Sequence, residues 1–326
     1  MTVSWGVLST ARINDLVLAG ARKSDRLRFV AVGSRDRGRA EAYAEEKGLE
    51  RAYGSYQELV DDPEIEAVYI SLPNDAHVEW SIRALQAGKH VLCEKPLTRH
   101  PGKIEEAFAV AEQEGRLLLE AFMWLHNPQI RRLEQLLDEG VIGEPKLLRA
   151  VHTFVADDPR DIRLLTETDG GSLMDVGCYC VHAARHLAGE PEQVYGEAVR
   201  NAAGVDVRFA GTMRLPGGVM GQFASGLDML EVHELEVVGE TGALFLDDPW
   251  HGWTAPRIEL RRDGGTEEIR FEPTDPYQLE LENLSDAILG DAEALLGRDD
   301  ALAQANVLQA LLASADRREP VELQPT

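Results

Sequence analysis

The sequence predicts an α/β protein in two parts: a doubly wound parallel sheet, then an α+β domain with a large, open, mainly antiparallel sheet. From residue 3 to about residue 122, short apolar runs alternate with segments of helical periodicity, which is typical of βαβ units. After residue 140, apolar residues recur at every second position over long runs, which indicates antiparallel strands. We therefore expect two domains, at residues 1–122 and 123–326.

The first part contains five apolar runs that we interpret as buried strands. Stretches such as AEAYAEEKG and HVEWSIRALQAG separate them and have helical spacing. Because helices connect the strands, the carboxyl ends should share one edge of the sheet, where ligands bind in such folds. In chain order the runs are VSWGVLS, RFVAVGS, AVYISLP, HVLCEK and LLLEAFM.

The second part alternates polar and apolar residues with a period of two. Turns are expected at residues 216–218 and 263–265, where glycines follow one another. One helix is expected from about residue 171 to 187, and a pair of helices within 277–313. The predicted strands lie in PKLLRAVHTFV, EQVYGEAVR, VDVRFAGTMRL, VMGQFASGL, HELEVVGETGALFL and RIELRRDGGTEEIRF.

Composition limits the classes of partner. The formal net charge of −24 argues against binding nucleic acid or an anionic membrane through a general field, so small molecules are the expected ligands. No apolar run approaches the roughly 20 residues that span a bilayer. The chain has three cysteines, an odd number, and we interpret them as reduced thiols. We therefore expect a cytoplasmic protein.

The first strand leads into a degenerate dinucleotide-binding turn. Gly6, Ser9, Thr10 and Ala11 are candidate cofactor contacts, because a glycine-containing turn ahead of a helix presents backbone N–H groups to phosphate. Leu8 stands where the usual pattern has glycine, so an ordinary strand-to-helix turn is the alternative.

The second strand ends in Ser34 and Arg35, which suit a 2′-phosphate and favour NADP, with NAD still possible. Asp36 is expected to cap the next helix. An exposed arginine without a ligand is the alternative for Arg35. At the following strand ends, further cofactor contacts are expected from Leu72, Asn74, His77, Glu94 and Lys95. Asn74 and His77 could face the nicotinamide, or Asn74 could be a turn residue and helix cap.

Lys95 follows a buried strand at its carboxyl end, in the segment QAGKHVLCEKP. This position is where chemistry is expected in an open α/β sheet, although an isolated Lys-Pro is more often a surface turn.

Asp175, Tyr179, His182 and His186 recur at helical spacing in an otherwise apolar segment, which places them on one helix face. Hydride transfer at a hydroxyl or carbonyl needs a proton carrier and a nearby cation, and Tyr179 with Lys95 can supply both. Asp175 could orient the lysine or bind substrate. His182 and His186 lie four apart, but no metal site is expected, because no Glu lies between them and no Cys pair has ligand spacing.

With these motifs in order, the chain resembles the Gfo/Idh/MocA oxidoreductase family. It is most similar to the branch of dimeric dihydrodiol dehydrogenases and NADP-dependent D-xylose dehydrogenases. The resemblance rests on a few segments that cover nearly the whole chain, among them WGVLSTARI, AVGSRD, AGKHVLCEKPLT, EAFMW, GGSLMDVGCYC and YQLELENLSDAI.

The resemblance implies a Rossmann domain, a cis Lys95–Pro96 peptide bond, and catalytic roles for Lys95, Asp175 and Tyr179. It also implies a sugar, sugar derivative or cyclic diol as substrate, with Trp124, Arg163 and His182 near it. A homodimer or higher homo-oligomer is implied through a second sheet face, which we expect to be large and apolar. The alternative function is a non-catalytic, dinucleotide-sensing regulator of the same fold.

Overall fold

The computed structural model describes residues 1–324 and divides them into two compact units. The first unit comprises Met1–Phe122 together with Pro276–Leu302, and the second comprises Met123–Asp275 together with residues 303–324. Within residues 1–324, no helix combines the length and apolar character needed to cross a membrane.

The first unit is built on a parallel sheet of six strands in the order β3-β2-β1-β4-β5-β6. The strand order reverses between β1 and β4, which is the point where doubly wound sheets bind their ligands. Strand β3, which the apolar runs did not indicate, is three residues long and half-buried. The strands are β1 (Val3–Leu8), β2 (Leu27–Gly33), β3 (Arg51–Tyr53), β4 (Ala67–Ile70), β5 (His90–Glu94) and β6 (Leu118–Ala121).

Helices cover this sheet and begin where the sequence provides caps. The Asp36 carboxylate accepts a hydrogen bond from the Arg39 backbone N–H at 2.7 Å, which confirms its expected role as a helix cap. Ser55 caps the third helix in the same way, at 3.1 Å from the Glu58 N–H. The helices before residue 122 are α1 (Asn14–Ala21), α2 (Arg37–Lys47), α3 (Tyr56–Val60), α4 (His77–Gln86) and α5 (Pro101–Glu114).

The predicted second domain, 123–326, is corrected by the structure, because residues 276–302 belong to the first unit. Helix α8 (Pro276–Leu289) packs against α1, β1 and β2. Its Ser285 hydroxyl accepts a hydrogen bond from the Trp5 indole at 3.2 Å, and Trp5 is fully buried. The sequence pattern shows where a helix lies but not which sheet it covers, so a contiguous second domain was the simplest expectation.

The second unit contains a nine-stranded sheet within the described residues, in the order β14-β13-β12-β11-β7-β10-β9-β8-β15. All neighbouring strands are antiparallel except β7 and β10, which are parallel. The two glycine turns occur where expected, between β9 and β10 and between β13 and β14. The strands are β7 (Pro145–Val155), β8 (Gln193–Arg200), β9 (Asp206–Arg214), β10 (Met220–Gly226), β11 (Asp228–Gly239), β12 (Ala243–Leu246), β13 (Arg257–Arg262), β14 (Gly265–Arg270) and β15 (Val321–Glu322).

Two helices of this unit contribute to the site: α6 (Pro128–Asp138) and α7 (Cys178–Ala188). A π-helical turn, Leu173–Gly177, leads directly into α7. Helix α9 (Arg298–Arg317) precedes β15, and its Gln304 amide donates to the Cys178 carbonyl at 2.9 Å.

One face of the second sheet was expected to be large and apolar, and this prediction is wrong. Arg149 on β7 is paired with Glu236 on β11, and Arg261 on β13 lies 3.2 Å from the same carboxylate. Arg208 on β9 pairs with Asp228 at 2.9 Å. These charged side chains keep the face compatible with water, so apolar exposure gives no argument for dimerisation.

Candidate active site

Lys95 directly follows β5 and begins a tight turn. The Lys95–Pro96 peptide bond is cis, as the family resemblance implied. The turn is held from β6, where the buried Glu120 carboxylate accepts the Leu97 backbone N–H at 2.7 Å. The Glu94 carboxylate accepts the Lys95 N–H at 3.2 Å. The backbone on both sides of the lysine is therefore fixed by carboxylates.

His77 was expected to face the nicotinamide, and the structure corrects this. The side chain is fully buried, its Nε2 lies 2.8 Å from the Leu72 carbonyl oxygen, and its Nδ1 lies 2.9 Å from that of Pro96. Burial lowers the pKa of His77, while the hydrogen bonds with the two carbonyl oxygens oppose this effect. His77 therefore links the end of β4 to the Lys95 turn and is not available to a ligand.

Glu94 is surrounded by buried hydroxyl and carboxyl groups of the first unit. The Tyr69 hydroxyl donates a hydrogen bond to its carboxylate. Burial, then the Glu94 charge, raise the pKa of both Tyr69 and Glu280. These shifts favour the protonated form of both neighbours, so Tyr69 and Glu280 add no negative charge beside Glu94. A direct contact of Glu94 with cofactor stays a prediction.

The end of β1 differs from the expected phosphate-binding turn at Gly6. Gly6 lies inside the strand, where a Cβ would approach the Leu59 side chain to 2.8 Å and that of Ile65 to 3.0 Å. Its lack of a side chain therefore serves core packing, and its role as a cofactor contact stays a prediction. The turn itself is at Ser9, which has φ of 121° and accepts the Ala11 N–H on its hydroxyl at 3.1 Å.

The turn residues Ser9, Thr10 and Ala11 are half-buried at the carboxyl end of β1. The Ser9 hydroxyl also lies 2.9 Å from that of Ser71, which follows β4. A non-glycine residue at positive φ is unusual and is found preferentially at functional sites. The turn thus stands where the strand order reverses, and its role in binding cofactor stays a prediction.

The end of β2 carries a buried serine, Ser34, and an exposed arginine, Arg35. Burial raises the pKa of Tyr56, and the positive charges of Arg35 and Arg39 oppose this effect. Since Asp36 is engaged as a helix cap, these residues fit the 2′-phosphate of NADP better than the ribose diol of NAD. The sequence alone did not indicate Arg39.

The second unit presents Asp175 on the π-helical turn. The preceding glycine pair is required by close backbone approaches: a Cβ on Gly170 would lie 2.5 Å from the Arg163 carbonyl oxygen, and one on Gly171 would lie 2.2 Å from Asp206. Asp206 in turn accepts the Leu173 N–H at 2.8 Å. The turn that carries Asp175 is therefore tied to β9.

Asp175 is paired with Arg163, which was expected to contact substrate. The Arg163 Nε donates to the Asp175 carboxylate at 2.8 Å, and its Nη1 lies 3.2 Å from Asp161. The charge of Asp175 is the largest cause that raises the pKa of Arg163, against burial. Arg163 thus holds Asp175 in place, and a contact of either residue with substrate stays a prediction.

Tyr179 stands in an aromatic group on the sheet side of α7. Its ring lies 5.2 Å from that of His152 on β7 and 5.6 Å from that of Trp250, measured between centroids. His152 is stacked on Trp250, with 5.5 Å between centroids and 11° between planes. Neither partner was indicated by the sequence, because both are far from Tyr179 along the chain.

Trp124 and His182 were expected to contact substrate, and the structure corrects both. Each is fully buried, and the Trp124 indole N–H donates to His182 Nδ1 at 3.2 Å. His186 stacks on His182 but bonds to Glu134, so the two histidines do not share one ligand position. The buried pair supports the helix that carries Tyr179.

The candidate residues fall in both units. Lys95 and the cofactor contacts lie in the first, whereas Asp175 and Tyr179 lie in the second. Leu72 is buried, with its carbonyl engaged by His77, and Asn74 begins a 3-10 turn after β4. Sequence reasoning missed Glu120, although a carboxylate in the apolar strand LLLEAF was a visible signal.

Comparison with known proteins identifies two family models along the chain. Residues 4–122 match the model described as "Oxidoreductase family, NAD-binding Rossmann fold", GFO_IDH_MocA. Residues 130–245 match the GFO/IDH/MocA C-terminal domain.

Among curated proteins, the chain is 33% identical over 325 residues to the D-xylose 1-dehydrogenase (NADP(+)) 2 of Haloferax volcanii, covering 98% of this chain and 99% of that protein. It is 33% identical to the mouse trans-1,2-dihydrobenzene-1,2-diol dehydrogenase, covering 77% and 76%.

Among solved structures, a 3-ketoreductase from Actinomadura kijaniata in complex with NADP and TDP-benzene superposes with a TM-score of 0.91 at 31% identity, covering 96% of this chain and 98% of that chain. The same enzyme has also been solved with a lysine changed to alanine and with a tyrosine changed to phenylalanine.

Proposed function

The chain belongs to the Gfo/Idh/MocA family of oxidoreductases, and we propose that it transfers a hydride between NADP and the carbinol or carbonyl carbon of a sugar, sugar derivative or cyclic diol. Relatives named as a xylose dehydrogenase, a dihydrodiol dehydrogenase and a sugar-nucleotide 3-reductase support that substrate class. No observation favours the non-catalytic regulator, since these named relatives are enzymes.

The observation that supports the proposed mechanism is that the chain has a lysine, Lys95, and a tyrosine, Tyr179, each on a backbone that its own unit holds in place. They are separated by the same number of positions as the lysine and the tyrosine replaced in the 3-ketoreductase variants. The backbone at Lys95 is held by hydrogen bonds to the Glu94 and Glu120 carboxylates. Tyr179 lies on helix α7, which is held by a buried hydrogen bond to α9. Both are therefore groups whose position the fold controls, as catalysis by placed groups requires.

When bound, NADP supplies the hydride acceptor or donor. The Tyr179 hydroxyl exchanges the proton of the substrate oxygen, and the Lys95 ammonium stabilises the negative charge that develops on that oxygen. Asp175, which forms an ion pair with Arg163, orients the substrate or the lysine. Ser34, Arg35 and Arg39 would hold the 2′-phosphate, and the turn Ser9–Ala11 would hold the pyrophosphate.

The test is a spectrophotometric assay of the full chain with NADP⁺ and a panel of aldoses and diols, and with NADPH and the corresponding ketones. We expect Lys95→Met and Tyr179→Phe each to lower kcat/KM at least about a hundredfold, the scale of general acid–base and electrostatic contributions. Matched controls are Lys146→Met and Tyr195→Phe, in partly exposed side chains of the second sheet. Wild-type turnover in both active-site variants would overturn the mechanism.

The remaining expectations concern the state of the protein in the cell. We propose a cytoplasmic protein, supported by three buried cysteines that form no disulfide within residues 1–324. We also propose a homodimer, on the family resemblance alone. Light scattering that gives a single 36.0 kDa species would overturn it.

A further inference from the structure

Two histidines and one carboxylate of the second unit converge outside the groups assigned to hydride transfer. His233 lies on β11, and Asp248 and His251 lie in the loop that follows β12. One ligand atom from each lies within 4.8 Å of the others. All three side chains are half-buried, at 15%, 25% and 21% exposed, so the cluster is formed in the fold yet open to solvent.

The separations within this cluster are too long for good hydrogen bonds. The Asp248 Oδ1 lies 3.4 Å from His251 Nδ1 and 3.7 Å from His233 Nδ1. A charged N–H···O bond is normally about 2.7–2.9 Å. Ligand atoms at about 2.0–2.1 Å from a tetrahedral zinc ion are about 3.3–3.4 Å apart, which is close to these two separations. The ligand atoms of the two imidazoles lie within 4.8 Å of each other.

The loop that supplies two of these ligands is held by its surroundings. The Asp248 carboxylate accepts the backbone N–H groups of His251 at 3.2 Å and Gly252 at 3.1 Å. At the start of α6, the Asn127 amide donates to the His251 carbonyl at 2.9 Å, and the Gln129 amide donates to the Asp248 carbonyl at 2.7 Å. Such supporting hydrogen bonds are what orients ligands in metal sites.

We propose that His233, Asp248 and His251 bind one divalent transition-metal ion of the zinc class. Two imidazoles and one carboxylate form a ligand set suited to Zn²⁺ and Co²⁺ and leave a fourth position open to water. The ion joins β11 to the loop after β12 and stabilises the folded state in proportion to its occupancy. It takes no part in the hydride step.

The ion also adds positive charge near the aromatic group of Tyr179. His152 connects the two, with its ring centroid 4.7 Å from that of His233 and 5.2 Å from that of Tyr179. The sequence did not reveal this site, because its three ligands are spread over 19 positions without a spacing motif.

The experiment uses the untagged full chain, stripped with a chelator and dialysed, without substrate or cofactor. Co²⁺ is titrated while visible absorption and tryptophan fluorescence are recorded, because Trp253 contacts the His251 ring at 4.4 Å between centroids. We expect one Co²⁺ per chain, a d–d spectrum of tetrahedral character, quenching, and a rise in Tm with Zn²⁺. His233→Gln, Asp248→Asn and His251→Gln should each weaken binding at least tenfold.

His90→Gln, which changes a half-buried histidine of the first unit, is the matched control and should bind as wild type. Circular dichroism of the stripped variants shows whether they fold. His251→Gln should disturb the fold least, because His233 lies on a strand and Asp248 also accepts two backbone N–H groups. Wild-type protein that binds no Co²⁺ at micromolar concentration, or binding unaffected in the folded ligand variants, would overturn the proposal. Since no turnover is measured, this result is independent of the proposed enzymatic function.

Discussion

The Arg163 guanidinium donates a hydrogen bond to the Asp175 carboxylate at 2.8 Å, so this carboxylate already has its counter-ion inside the second unit. We expect Arg163→Met to lower kcat/KM because it leaves Asp175 charged and displaced. Asp175→Asn should also lower kcat/KM, because it removes the other partner of the same ion pair. The kcat/KM of the double variant should be only slightly lower than that of either single variant. A coupling free energy of about 1.5–3 kcal/mol is expected for a charged hydrogen bond.

This double-mutant cycle is measured as kcat/KM of the wild type, the two single variants and the double variant. Urea unfolding checks that all four proteins are stable. Strictly additive losses would show that Arg163 and Asp175 act separately, as they would if Arg163 contacted the substrate by itself.

Cofactor preference should depend on Arg35. Its side chain is exposed after β2, and the neighbouring Asp36 carboxylate is engaged as a helix cap. We expect Arg35→Ala to raise KM for NADP⁺ at least about tenfold, the equivalent of about 1.4 kcal/mol, and to leave KM for NAD⁺ within about twofold. Arg28→Ala, at the other end of the same strand, is the control. An equal effect on both cofactors would argue against a 2′-phosphate contact.

Gly171 should tolerate no side chain. An alanine there would place its Cβ 2.2 Å from the Asp206 carboxylate, at a φ of 127° that disfavours L residues. We expect Gly171→Ala to lower the free energy of unfolding by about 1–3 kcal/mol and to reduce activity, because Asp206 anchors the turn that carries Asp175.

Gly102→Ala is its matched control, since Gly102 is on α5 with nothing within 4 Å of the added Cβ. It should be neutral or slightly stabilising. Denaturant unfolding of both variants gives the comparison, and similar stability of the two would show that Asp206 moves aside without loss.

The stability of the protein should decrease as the pH is lowered, because His126 becomes protonated in the unfolded chain. Burial, with Arg131 adding to it, lowers the pKa of this histidine to about 3. In the unfolded chain it titrates near ~6.5. Between these values the unfolded state binds more protons than the folded state, so the free energy of unfolding decreases as pH falls, by at most about 1.4 kcal/mol per pH unit.

His126→Gln should flatten this dependence between about pH 6.5 and pH 4, measured as urea unfolding in a series of buffers. A slope equal to that of wild type would show that His126 is protonated in the folded state too.

The sequence predicted the parallel sheet, the mainly antiparallel sheet, both glycine turns and the Asp36 cap, because each rests on local periodicity or local hydrogen bonding. It assigned His77 and Trp124 wrongly for one reason. Their polar atoms suggested ligands, but burial and partners from distant segments, Pro96 and His182, decide what those atoms do. Three-dimensional convergence of this kind has no signature in a single sequence.

Helix α8 also bears on how relatives of this chain can be recombined. Because α8 packs on β1 through the contact of Ser285 with Trp5, the first unit is not one contiguous piece of sequence. A chimera that takes only residues 1–122 from a relative would combine the relative's sheet with α8 of this chain, which would disrupt that buried contact. A functional exchange of cofactor domains needs a second crossover region around residues 276–302, so both segments must be inherited together.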